Sequence, residues 1–218
     1  MAAGFDYLRD PQAIYRESFR QIRDACDLSA LPEAMHGVAL RLVHAVGRPE
    51  IVASLRGSDG AVAAGRQALE AGAPVLTDAK MVAAGILRER LPQKNDVLCL
   101  LDAPGVAGRA QRLGTTRSAA QVGLWTPWLD GAVVAIGNAP TALFALLEAI
   151  ADGAPKPACV LGFPVGFVGA AESKQALVES ADAMGLAYLT LAGREGGSAL
   201  AAAAVNALAA GNPEEAAP

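Results

Sequence analysis

The chain is poor in the side chains that most often carry catalysis. Among 218 residues there are two histidines, His36 and His44, and three cysteines, Cys26, Cys99 and Cys159. The cysteines share no close spacing, so no zinc-ligand pattern exists, and none is paired in sequence with a histidine. They are read as reduced, small apolar residues of a cytoplasmic protein. Positive charge is also scarce: 18 Lys and Arg against 22 Asp and Glu leave a net charge of -4. That balance argues against a general nucleic-acid binder and offers no polybasic patch to a membrane. Every apolar run is interrupted by Gly, Pro or a charge before it is long enough to span a bilayer. The opening "MAAGFDYLRDPQ" lacks a charged start followed by an apolar stretch, so no signal peptide is expected. Dinucleotide, Walker and G-x-S-x-G patterns are missing too.

Apolar residues, by contrast, make up 53% of the chain. That supply and length suit one compact domain, placed at residues 1–210, with "GNPEEAAP" (211–218) expected as a disordered tail. The first third predicts helices. Asp10 before Pro11 is a good N-cap with proline at the first helical position, and "PQAIYRESFRQIRDAC" follows. A second helix runs from near Pro32 to near Gly47, and a third lies in "DGAVAAGRQALEAG", starting at Asp59 and ending at Gly72.

The remainder alternates. Short, continuously apolar runs lie at Ala73–Thr77, Asp96–Leu101, Ala132–Ile136, Ala158–Gly162 and Leu186–Leu191, as in buried parallel strands. Helical stretches separate them: "AKMVAAGILRERL", "TTRSAAQVGLW", "TALFALLEAIADG", "ESKQALVESADAMG" and "SALAAAAVNALAA". This predicts an α/β fold of three layers, flavodoxin-like, with a five-stranded, mostly parallel sheet, helices on both faces and a helical N-terminal segment. Ligands of such sheets sit beyond the carboxyl ends of the strands. The tips there are Thr77-Asp78, Asp102-Ala103, Gly137-Asn138, Phe163 to Gly169 and Ala192 to Gly197.

His44 lies in "ALRLVHAVGR". At 3.6 residues per turn, Met35, Val38, Ala39, Leu42 and Val46 form the core stripe, and His44 points almost opposite. Its neighbours are Gly37, Leu40 and Arg41. Position alone supports a plain surface histidine equally well. Yet a cation and an imidazole on a partly apolar face suit a flat anionic ligand, and an imidazole exchanges protons near neutrality. His36 flanks the stripe and receives no role. "GTTRSAA" places Arg117 and Ser118 at a helix start capped by Thr115 or Thr116, which is either an anion site or an ordinary cap. In "IGNAPTALF", Asn138 or Thr141 is the expected cap. The glycine-rich "GFPVGFVGAAESK" and "GREGGS" are weak signals of a loop around a large ligand.

Together, "DYLRDPQAIYRESFRQIR", "RLVHAVG", "GTTRSAA", "GNAPTALF", "GFPVGFVGAAESK" and "GGSALAAAAVNAL" resemble the precorrin-8X methylmutase family, in order from Asp6 to about Leu208. The resemblance implies a flavodoxin-like homodimer that needs no cofactor. It implies an isomerase of cobalamin biosynthesis that moves a methyl group between neighbouring carbons of ring C of precorrin-8X, giving hydrogenobyrinate. His44 matches the family's proton donor and acceptor. Ser18 and Arg41 match substrate contacts, and Thr116, Arg117, Ser118 and Glu172 are further expected contacts. Hand-over of the corrinoid product to neighbouring pathway enzymes is a further partner reading. The chain departs from the family at Gln121-Val122-Gly123, where an interior glycine is expected to weaken the helix by about 1 kcal/mol. The same chemistry on cobalt-precorrin-8, or a silent tetrapyrrole carrier, stays open. Without the resemblance, an FMN- or phosphate-binding flavodoxin-like module would be the reading.

Overall fold

The computed structural model describes residues 4–210; the expected tail at 211–218 lies outside them. Helix α1 (Pro11–Ala25) starts as its sequence dictates. The Asp10 carboxylate accepts the Ala13 N–H at 2.9 Å, and Pro11 occupies a position whose N–H no helix needs. Helix α2 (Glu33–Val46) stops at Gly47, whose left-handed φ of 68° lets its N–H reach the Val43 carbonyl at 2.7 Å. Then come β1 (Leu55–Gly57) and α3 (Ala61–Glu70). Helix α3 begins after Gly60, in the left-handed region at φ 74°, and not at Asp59, which caps nothing there.

From β2 onward strand and helix alternate. The elements are β2 (Val75–Thr77), α4 (Lys80–Gly85), β3 (Val97–Leu98), α5 (Val106–Leu113), α6 (Arg117–Val122), α7 (Thr126–Leu129) and β4 (Val133–Ile136). After them follow α8 (Pro140–Ala151), β5 (Cys159–Gly162), α9 (Ala170–Met184), β6 (Tyr188–Leu191) and α10 (Ser198–Ala210). The sheet order is β1-β6-β5-β4-β2-β3, with β1 antiparallel to β6 and every other pair parallel. Leaving β1 aside, the five parallel strands take the 2-1-3-4-5 order of the flavodoxin-like fold. The sheet therefore has six strands, one more than the sequence predicts. The extra strand is a three-residue edge with an exposed Arg56 at its centre, too short and too polar to announce itself. Strand β3 is also shorter than Asp96–Leu101, as an edge strand paired on one side only.

The strands are buried on both sides and sort by parity. Val133 and Ala135 of β4 face one core together with Leu161, Leu189 and Leu42; Val134 and Ile136 face the other together with Val160, Leu143 and Leu177. Helices α2, α3, α4 and α10 cover the first face, and α6 to α9 cover the second. Helix α10 is apolar all round because it is a middle layer, with sheet beneath and α2 and α4 above. Its alanines permit close packing: a Cβ at Gly85 would lie 2.8 Å from that of Ala202. The one polar residue in its second half, Asn206, uses both ends of its amide. It accepts the Leu87 N–H at 2.9 Å and donates to the Gly85 carbonyl at 3.0 Å. This pair fixes the point where α4 stops, so "AKMVAAGILRERL" is not one helix but a short helix and a 3-10 turn.

Two further local expectations change. Gly123 follows the last residue of α6, so the interior-glycine cost does not apply, and the Arg109 guanidinium covers it so closely that a Cβ would meet it at 2.4 Å. Neither Asn138 nor Thr141 caps α8 by its side chain; the cap position is Ala139, with no side-chain cap bond, and Asp78 instead holds the N–H groups of the turn that leads into the helix. No helix among the described residues is long and apolar enough to cross a membrane.

Candidate active site

Helix α2 carries His44 to the end of the sheet where strands point their carboxyl ends. Val46 and Ile51, just beyond it, line a cavity with Val165 and Gly196 from the loops after β5 and β6. His44 lies off the core stripe, as its helical position predicts, but α1 packs over that side. Phe19, only 3% exposed, stacks on the imidazole with ring centroids 4.9 Å apart and planes inclined by 14°. The Ser18 hydroxyl sits 3.0 Å from His44 Nδ1. Nε2 is left for another partner, beside a cavity of about 270 Å³ lined by Ser18, Gln21, Ile22, Val43, His44 and Pro49. Because a hydroxyl both donates and accepts, Ser18 can serve either tautomer of the ring.

Arg41, one turn before His44, is 6% exposed. One guanidinium nitrogen donates to the Tyr15 hydroxyl at 2.8 Å, and the group lies 5.2 Å from the Phe19 ring centroid. Its Nε is buried without a partner, and no described carboxylate forms an ion pair with it. An unbalanced buried cation is costly. It attracts an incoming carboxylate, and it disfavours a second positive charge nearby. Accordingly burial, and after it the Arg41 charge, hold the His44 imidazole below its ordinary pKa. His36 is the bland case: its Nε2 lies 3.1 Å from the Leu31 carbonyl and ties α2 to the preceding loop.

The other expected residues stand at the same end of the sheet but over its opposite face. Thr116, not Thr115, caps α6 by accepting the Ala119 N–H at 3.1 Å, and its hydroxyl also lies 2.7 Å from that of Thr141 on α8. Arg117 is exposed and pairs with Asp102 at 3.3 Å, as Lys80 does. The Ser118 side chain is buried in the first turn of α6. Glu172 is exposed in the first turn of α9, where its charge complements the helix dipole. The structure thus joins Ser18, Arg41 and His44 directly, and keeps Thr116, Arg117 and Ser118 as a second group.

Between them lies the switch point of the sheet, where β2 and β4 diverge and flavodoxin-like folds hold phosphate. Here the chain supplies its own anion. Asp78, fully buried, accepts the N–H groups of Gly137 at 2.9 Å, Asn138 at 3.0 Å and Ala139 at 2.7 Å. Burial holds its carboxyl above the usual carboxylate range, and the three N–H bonds offset that only in part. The cradle is therefore filled, which speaks against an FMN or phosphate site there.

These features have a counterpart in known proteins. The precorrin-8X methylmutase family model matches residues 13–210. The chain belongs to this family. It is 56% identical to a precorrin-8X methylmutase of Pseudomonas aeruginosa, over 94% of this chain and 97% of that one. It is 53% identical to one of Sinorhizobium, with the same coverage. Cobalt-precorrin-8 methylmutase of Priestia megaterium is 34% identical, over 91% and 87% of the two chains. A crystal structure of the Thermus thermophilus precorrin-8X methylmutase superposes with a TM-score of 0.84 at 42% identity, covering 95% of this chain and 98% of that one. As a methylmutase the chain is an isomerase of cobalamin biosynthesis.

Sequence reasoning missed several residues that stand in or near this candidate site. Tyr15 and Phe19 are spaced i, i+4 around Ser18 on α1, and that shared face was the available signal. Lys174, the last residue of "GFVGAAESK", is 1% exposed, and its Nζ donates to the Glu195 carbonyl. Burial lowers its pKa to about 8. No sequence pattern marks a lysine for burial.

Proposed function

We propose that this methylmutase acts on metal-free precorrin-8X, with His44 as both proton donor and proton acceptor, to give hydrogenobyrinate. The geometry that carries the reading is the Ser18–His44 pair beside Arg41, open to a cavity at the carboxyl end of the sheet. Methyl migration between neighbouring ring-C carbons is internal to the substrate. The atoms balance without a second reactant, and a proton lent to assist the shift must be returned. One imidazole can do both. Its lowered pKa makes the imidazolium a stronger acid, and Nδ1 keeps its proton while Nε2 gives one up and regains it, so the Ser18 hydroxyl accepts from Nδ1 throughout. Arg41 offers an uncompensated cation to a substrate carboxylate.

The metal-free substrate is favoured because relatives named for precorrin-8X stand at 53–56% identity, against 34% for a cobalt-precorrin-8 enzyme. Thr116, Arg117, Ser118 and Glu172 form the second contact group. The His44 cavity, about 270 Å³, is below the roughly 300–1,000 Å³ usual for a ligand site, and a tetrapyrrole is a large ligand. A homodimer in which the partner supplies a missing wall meets that need. A cytoplasmic location belongs to the same reading, with the product passed to the next enzyme of the pathway. Incubation with precorrin-8X, followed by absorbance, tests it. Conversion to the hydrogenobyrinate spectrum, faster than any conversion of the cobalt form, is the expected result. Binding without conversion refutes it in favour of a silent carrier.

A further inference from the structure

The loop between β5 and α9 presents two apolar side chains to solvent: Phe167 is 83% exposed and Val168 is 89% exposed. Folding gains nothing from this, and the loop is not slack. Gly166, at φ 141°, donates its N–H to the Arg194 carbonyl, and Gly197 donates to the Phe163 carbonyl at 2.8 Å. At Gly196 the two loops approach so closely that a Cβ would lie 2.4 Å from the Phe163 carbonyl oxygen. The buried Lys174 ammonium holds Glu195 from below. The loops after β5 and β6 are thus clamped side by side, and the Arg194 guanidinium lies over the Phe167 ring, 5.4 Å from its centroid.

This pair overhangs a cavity of about 340 Å³ with Val46, Ile51 and Leu200 in its wall. Val46 is two residues beyond His44, so this cavity and the His44 cavity flank the same helix end. Of the two arginines on its rim, Arg48 is already neutralised by Glu50 at 3.0 Å and Glu195 at 2.6 Å. Arg194 has no ion-pair partner among the described residues. An exposed ring and an unspent guanidinium held together, beside an apolar hollow, match a ligand that is flat and apolar in the middle and anionic at its edge.

We propose that Phe167 and Arg194 act as one substrate-binding element. The ring packs on the macrocycle of the corrinoid, and the guanidinium pairs with one of its peripheral carboxylates. This rests on the function proposed above. Titration of hydrogenobyrinate and of its fully methyl-esterified form into wild type, Phe167→Ala, Phe167→Trp and Arg194→Met, read by absorbance, tests it. Phe167→Ala should weaken both ligands about tenfold, and Phe167→Trp should restore binding. Arg194→Met should weaken the carboxylate form about tenfold and leave the ester nearly unchanged. Sedimentation should show the same assembly throughout. Variants that bind like a functional wild type overturn this inference alone. Weakened binding that tracks loss of the assembly overturns it in favour of a subunit contact. A wild type that neither binds nor isomerises overturns the proposed function and this inference with it.

Discussion

His44→Ala separates chemistry from architecture. If the imidazole lends and recovers the proton, its removal should lower kcat by about 10²–10⁴-fold, the usual contribution of a positioned acid–base group. The ring is also a structural neighbour, since it stacks on Phe19 at 4.9 Å and bonds Ser18 at 3.0 Å. Losing the stack costs about 0.5–1.5 kcal/mol and losing a half-exposed hydrogen bond about 0.5–1 kcal/mol. Urea unfolding should thus show a variant weaker by about 1–2.5 kcal/mol, still folded at a typical domain stability of about 5–15 kcal/mol. Ser18→Ala keeps the imidazole and loses one bond, so its rate should fall about fivefold, equivalent to ~1 kcal/mol. Because Ser18 acts through Nδ1, adding Ser18→Ala to His44→Ala should slow turnover no further. Single-turnover absorbance with precorrin-8X reads all three variants. A His44→Ala rate within tenfold of wild type refutes the assignment, and full additivity refutes the coupling.

Arg41 should report on the His44 pKa. Activity that needs the imidazolium falls as pH rises through a value below the ordinary histidine pKa; Arg41→Met removes a depressing charge and should move that fall to higher pH, whereas Arg41→Lys should leave it in place. A raised KM with an unmoved profile would reduce Arg41 to a substrate ligand. The same depression makes neutral His44 a stabilising state above its unfolded pKa, and that contribution is lost as pH falls through the folded value, which His44→Gln should abolish in urea titrations across pH. Asp78→Ala strands the N–H groups of Gly137, Asn138 and Ala139, and at about 1–2 kcal/mol each should destabilise by about 3–6 kcal/mol; a loss below about 1 kcal/mol would show that water replaces the carboxylate. If each site draws on two chains, mixing His44→Ala protein with Arg117→Ala protein should restore part of the activity, and a fully active monomer in sedimentation would end that idea.

What was legible in the sequence is what the chain does over short spans. The Asp10–Pro11 cap, the Gly47 stop and the buried apolar strands each follow from a few consecutive residues, and their alternation yields the 2-1-3-4-5 sheet. What was hidden depends on pairing at a distance. Strand β1 exists only because Leu55–Gly57 meets β6 some 130 residues later, with Gly57 matched to Leu189. Asp78 sits at a strand tip, where ligand contacts are expected, yet its partners are three N–H groups about 60 residues away. It is an internal stand-in for a ligand. The site divides in the same way. A helical wheel takes His44 off the core stripe, and that is correct. It cannot say that α1 then covers this side, enclosing Arg41 and stacking Phe19 on the ring. A solvent-facing histidine would keep its ordinary pKa and spin freely. The charge is Arg41's, one turn away on α2 and visible in the sequence, but the partial burial, the oriented Nδ1 and the enclosure of Arg41 come from residues 26 positions upstream, Tyr15 to Arg41 and Ser18 to His44. The histidine's place is written in α2, but its chemistry is written in the docking of α1 against it. Substitutions on the Tyr15–Phe19 face should therefore alter catalysis without touching any element of the flavodoxin-like sheet.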